Sequence, residues 1–114
     1  MKITIEELQE YLFDHYKNGG IDQSLFMKLV EEIGEVAEVL NKKAGRKSVG
    51  QEDLQTQLGN ELADVVHYTI AIAALNGIDM NDIILSKDKD ASIKYNHSIK
   101  LEQVVMERRT KDND

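Results

Sequence analysis

The chain contains no cysteine, no proline and no tryptophan. Without cysteine there are no disulfides, thiolate zinc sites, iron–sulfur ligands or thiol nucleophiles. Without proline nothing covalent interrupts a helix, so long unbroken helices are open to this sequence. Cationic charge is also short. Lys and Arg number 14 against 21 Asp and Glu, which gives a formal net charge of −7 and a pI near 4.9. Phosphate backbones attract proteins of the opposite balance, so general nucleic-acid binding is excluded as a role. No stretch approaches the roughly 18 consecutive apolar residues of a membrane span. The longest apolar-leaning run, Val65 to Leu75, carries His67, Tyr68 and Thr69. The N-terminus turns acidic at Glu6-Glu7, where a secretory signal is apolar. The expectation is a soluble, cytoplasmic protein with no membrane partner.

What is present reads as helix. At 114 residues the sequence fits a single domain, residues 1–114. Thr4 and Glu7 have the spacing of a capping box, and Asn18-Gly19-Gly20 is a stop signal, so a first helix is expected from Ile5 to Lys17. A second begins after Asp22 or Ser24 and runs to Lys43, broken by Ala44-Gly45. A basic loop, Lys42 to Lys47, leads to a third helix that opens between Ser48 and Glu52 and runs to Asn76, closed by Gly77. A fourth covers Met80 to Asn96, and Ser98 to Arg109 forms a short fifth helix or an extension, with Thr110 to Asp114 frayed. The fold class is all-α, in essence a four-helix bundle with a short C-terminal helix.

Two acidic clusters stand out, one on each long helix. The second helix carries Glu31, Glu32, Glu35 and Glu38, and the third carries Glu61 and Asp64. The plain explanation of an acidic cluster is a solvated face, and the helical wheel sets a metal-binding cluster beside it as an equal reading. With Glu31 at 0°, Val39, Leu25, Val36, Leu29, Leu40, Ile33 and Phe26 fill roughly 80° to 220°, and Glu32 falls near 100°, inside that arc. Glu35 sits near 40° at its border, while Glu31 and Glu38 lie outside at about 0° and 340°. With Glu61 at 0°, Leu54, Ile72, Val65 and Leu58 fall at roughly 20° to 60° and Tyr68 near 340°, so Glu61 is central in its stripe and Asp64, near 300°, is on the edge.

Inward carboxylates facing one another repel and are costly to desolvate. The only cation in either stripe is Lys28, one turn before Glu32 and within reach of pairing with it. A divalent metal answers the problem better, because one ion neutralises two charges and bridges carboxylates. An all-oxygen ligand set selects Mg2+, with Mn2+ as a substitute.

The arrangement Glu31-Glu32-x-x-Glu35 followed by Glu61-x-x-Asp64 resembles the MazG-like nucleoside triphosphate pyrophosphohydrolases, an all-α superfamily. The surrounding Lys28-Leu29-Val30 and Ile33-Gly34 on one helix, and Gly59-Asn60 before Glu61 on the other, are similar to that family too. The resemblance covers Leu25 to Leu75 well and the ends loosely. It implies hydrolysis of a nucleoside triphosphate (a dNTP or a modified NTP) between the α and β phosphates. Glu32, Glu35, Glu61 and Asp64 match the family's magnesium ligands, Glu31 its extra acid, and Glu38 a group that orients or deprotonates the attacking water. Lys94-Tyr95-Asn96-His97 resembles the family's C-terminal segment. Lys94 and Asn96 are therefore candidates for phosphate or sugar contact, against the plain reading of an ordinary helix end. Lys28 and the Lys42–Lys47 loop are further cationic candidates. No Gly-rich loop ending in Gly-Lys-Ser/Thr is present, so this is not a P-loop enzyme.

Several features remain. Asp64-x-x-His67 mimics half of a di-iron bundle's Glu-x-x-His motif, but only one copy exists and His67 falls near 240°, away from Glu61. A surface or interface histidine is the better reading. Among the aromatics, Phe13, Tyr16, Phe26 and Tyr68 are the ones available to a base, and most are expected in the core. Ala63, Ile70, Ala73 and Ala74 widen the apolar arc of the third helix and suit close contact with another helix, so at least a homodimer is expected to complete the bundle, and the resemblance also allows a homotetramer. A catalytically inert helical partner that keeps the fold is the competing reading.

Overall fold

The computed structural model describes residues 1–45 and 53–113, and every regular element in them is an α-helix. They are α1 (Ile5–Tyr16), α2 (Asp22–Lys43), α3 (Leu54–Leu75), α4 (Met80–Lys94) and α5 (Leu101–Asn113). The expected opening of the third helix at Ser48 to Glu52, and Arg46 and Lys47 of the basic loop, lie outside the described residues.

Local chemistry sets the boundaries. The Thr4 hydroxyl accepts from the Glu7 amide at 3.1 Å, and the Glu7 carboxylate accepts from the Thr4 amide at 2.8 Å, a complete capping box. Asp53 caps α3 by accepting from both the amide and the hydroxyl of Thr56, and those bonds hold its carboxyl below the usual range. The exits of α2 and α3 pass through Gly45 (φ 76°) and Gly77 (φ 66°), left-handed positions that glycine occupies without strain. α4 stops two residues before the expected Asn96, which takes a left-handed φ of 55° that asparagine tolerates. α5 runs on through the segment expected to fray, where no glycine or proline interrupts it.

The chain divides into two compact units, Met1–Ile78 and Asp79–Asp114. In the first, α3 packs against both α1 and α2. Its core is Leu12, Leu25, Val39, Ile70, Ala71, Ala73 and Ala74, all buried. The alanines let neighbouring helices approach α3 closely. Ile70, Ala73 and Ala74, expected at a contact between copies, are thus used inside the unit, because α3 is covered by two helices rather than one. Asn76 ties the end of α3 to the start of α2 by donating to the Asp22 carboxylate at 3.1 Å, and the Gln9 side chain donates to the Ile78 carbonyl.

Not all of the apolar arc of α2 is covered. Leu25 and Val39 are buried and Leu29 and Val36 half-buried, but Phe26, Val30, Ile33 and Leu40 are exposed. Phe13 is exposed as well, so the expectation that most aromatics are core fails for both phenylalanines. Within this unit α2 packs mainly against α3, and one helix cannot enclose an arc this wide.

In the second unit, the Asp88 carboxylate accepts from the Leu101 amide at 2.8 Å and so caps α5 from α4. Ser92 is buried and donates its hydroxyl to the Asp88 carbonyl at 2.8 Å.

Leu12 is wholly buried and occupies the centre of the α1 contact. Leu12→Ala is expected to destabilise the chain by about 2–5 kcal/mol, read as a lower urea midpoint at constant m-value.

Candidate metal centre and adjoining cleft

The seam between α2 and α3 collects the acids. One carboxylate oxygen each from Glu32, Glu61 and Asp64 lies within 4.8 Å of the others. Glu32 and Glu61 are half-buried and Asp64 is exposed, in line with their wheel positions. The Glu35 carboxyl adjoins Glu61 and acts on its titration. Glu31 and Glu38 are exposed on α2. Lys28 pairs with Glu31 at 3.4 Å and not with Glu32, because the i, i+3 neighbour lies on the wet side that a lysine head prefers. Among the described residues no Lys or Arg pairs with Glu32, Glu35, Glu61 or Asp64.

The electrostatic cost shows in two ways. The Oε2 atoms of Glu32 and Glu61 are buried with no hydrogen-bond partner among the described residues. Two carboxylates bond to each other only through a proton, and the proton is drawn in. The adjoining Glu35 carboxyl and then burial push the Glu61 carboxyl up to about 7. Burial, with the charges of Glu35 and Asp64, also raises Glu32, against a partly compensating bond from Glu61. Buried carboxylate oxygens without donors, grouped with a third acid, are a hard, all-oxygen donor set that suits a divalent cation. Glu32, Glu61 and Asp64 are the residues placed to hold one, with Glu35 adjoining.

A cleft of about 280 Å³ adjoins the acids, bounded by Tyr16, Gly19, Gly20, Ile21, Ser24, Leu25, Lys28 and Tyr68. Lys28 is one turn before Glu32 and Tyr68 one turn after Asp64, so cleft and acids are neighbours along both helices. Gly20 is required here: a Cβ would lie 2.8 Å from the Leu75 Cδ1 and from the Tyr16 Cβ. The Tyr16 hydroxyl meets His67 Nε2 at 2.7 Å, and burial holds its phenol above the ordinary value, with Tyr68 and Tyr11 adding to the shift. Of the two places expected for His67 the surface one is corrected: it is a half-buried tie at the interface of α1 and α3, and not a member of the acid cluster. Its bond to Tyr16 also leaves the di-iron reading without support. In the sequence Gly19-Gly20 signals only a helix stop. The signal that it also walls a cleft was the aromatic residue directly before the turn.

Lys94 and Asn96 belong to the second unit. There the Lys94 ammonium stands 5.3 Å from the Tyr95 ring centroid, and Asn96 forms the left-handed turn after α4.

The fold is all-helical, with a carboxylate cluster between two long helices that is a candidate divalent-metal centre. The family model of the MazG nucleotide pyrophosphohydrolase domain matches residues 22–92, and the chain belongs to that family. Among solved structures, the crystal structure of iMazG from Vibrio DAT 722 is similar at 27% identity and a TM-score of 0.64, covering 83% of this chain and all of the other. A search of curated proteins gives no match. The chain is a nucleoside triphosphate pyrophosphohydrolase. The family is divalent-metal dependent, which agrees with the donor set. Among the described residues no helix is long and apolar enough to cross a membrane.

Because the folded pKa of Glu61 lies above its ordinary value of 4.5, the metal-free fold holds a proton that the unfolded chain releases. That contribution is full below pH 4.5 and is lost as pH rises through about 7. The Tm of the metal-free protein is expected to fall between pH 5 and pH 8. Glu61→Gln, which cannot lose a proton, is expected to flatten the fall.

Proposed function

We propose that this chain hydrolyses nucleoside triphosphates, either dNTPs or modified NTPs, between the α and β phosphates. The products are a nucleoside monophosphate and pyrophosphate. The reaction is Mg2+-dependent, with Mn2+ as a substitute. The observation that carries the reading is the pair of buried, partnerless carboxylate oxygens on Glu32 and Glu61, grouped with Asp64 and free of any Lys or Arg partner among the described residues. A bare cluster of this kind repels a triphosphate.

Glu32, Glu35, Glu61 and Asp64 are the residues that would hold the metal, which when bound would supply positive charge against the phosphates and lower the pKa of the attacking water. Glu38, beyond Glu35 on α2, orients that water or takes its proton. Lys28, at the lip of the cleft and one turn from Glu32, meets the phosphates as a cation. Lys94 and Asn96 contact phosphate or sugar. The base enters the cleft between Tyr16 and Tyr68, where aromatic rings offer stacking faces. At about 280 Å³ the cleft lies just under the roughly 300–1,000 Å³ of pockets that take whole drug-sized ligands, which suits a base rather than a whole nucleotide.

The whole chain, residues 1–114, acts as one functional domain, in the cytoplasm and without nucleic-acid or membrane partners. It assembles as a homodimer or homotetramer. The support for assembly is the exposed stripe of Phe26, Val30, Ile33 and Leu40, whose spacings of four, three and seven residues keep it on one side of α2, where a second helix can pack.

Incubation with a panel of canonical and modified NTPs and Mg2+ is expected to yield monophosphate and pyrophosphate. Orthophosphate and diphosphate as products would refute the cleavage position. Glu61→Gln is expected to leave less than about 1% of turnover with helicity intact, and unchanged activity removes Glu61 from the site. Ile33→Glu is expected to shift the sedimentation coefficient to that of a 12.9 kDa monomer, and an unshifted assembly refutes the α2 interface.

A further inference from the structure

His67 lines neither the acid cluster nor the cleft, yet it touches both tyrosines of the cleft. Its Nε2 is 2.7 Å from the Tyr16 hydroxyl, with the two rings edge to face. Its ring also stands edge-on to Tyr68, 4.9 Å between centroids. Tyr16 is the last residue of α1, and the Gly19-Gly20 turn follows it, so the backbone alone leaves that ring a free end. The polar tether crosses from α3, which is also the helix that carries Glu61 and Asp64.

We propose that His67 is a positioning residue for the nucleobase: it holds the Tyr16 ring at the cleft through its hydroxyl and braces Tyr68 from the side. The inference rests on the placement of the base in this cleft. His67 fixes the distance between the base platform and the acids, because Asp64 and His67 share one turn of α3. The alternative is that the Tyr16–His67 bond is only a clip between α1 and α3. A clip changes stability without changing the apparent affinity of folded enzyme for nucleotide.

The two are separated by a mutant cycle on the full chain with Mg2+ and a hydrolysed dNTP. His67→Ala and Tyr16→Phe each delete the bond from one side, and each is expected to raise KM about tenfold with kcat within about twofold. The double variant is expected to match the singles, since the bond can be lost only once. His67→Gln, whose amide reaches the same hydroxyl, is expected to restore most of the affinity. Calorimetry with the matching deoxynucleoside monophosphate follows the same order, while Mg2+–pyrophosphate, which has no base, binds all variants equally. Additive effects in the double variant, a loss confined to kcat, or equal weakening toward pyrophosphate would each overturn the proposal. Should His67→Ala fail to fold, Tyr16→Phe and His67→Gln carry the test. Failure of the pyrophosphohydrolase reading is seen separately, as absence of monophosphate and pyrophosphate from the unmodified enzyme.

Discussion

Carboxylates on facing helices a few ångströms apart repel one another, and the repulsion grows as water leaves the seam between them. This molecule accepts that cost on α2 and α3 without supplying a lysine or arginine to Glu32, Glu35, Glu61 or Asp64 among the described residues. Much of the first unit can be understood as the frame that keeps the acids there. α3 is clamped by α1 on one side and α2 on the other, its ends are fixed by Asp53 and Asn76, and alanines keep the packing close. Without ion or proton, the cluster would be a point of strain in the centre of the fold. With either, the same geometry becomes a donor set.

The acids and the cleft share a structural origin. Both lie along the α2–α3 seam, one turn apart, so the part that handles phosphate charge and the part that offers aromatic surface are joined by two rigid helices. Sites built on helices hold their geometry better than sites built on loops. The tether from His67 to Tyr16 extends the same principle to a residue at the end of α1.

Much of this was legible in the residues themselves. Thr4 and Glu7 announced the first helix, glycines at 45 and 77 marked two exits, and the wheel separated Glu32 and Glu61 from Glu31 and Glu38 by exposure. Such features depend on contacts within one helix, where sequence distance and spatial distance correspond. What depended on a second helix was lost. The wheel gave α2 one broad core face, but only Leu25, Leu29, Val36 and Val39 found cover, because coverage is a property of the neighbour. His67 was placed by angle at the outside of its own helix, whereas Tyr16, 51 residues away, supplied its partner. Lys28 was near both Glu31 and Glu32 in sequence, and only solvation chose between them. The capping of α5 by Asp88 had no sequence signature, since cap and helix are 13 residues apart.

The turn between α1 and α2 closes so tightly at Gly20 that even a methyl group collides with its surroundings. Substitution at Gly20 is therefore closed as a way of reshaping this wall, whereas a Cβ on Gly19 beside it would meet open space. The corner thus pairs one fixed point with one adjustable one, and a side chain added at the first of the two glycines is the cheap way to narrow the recess.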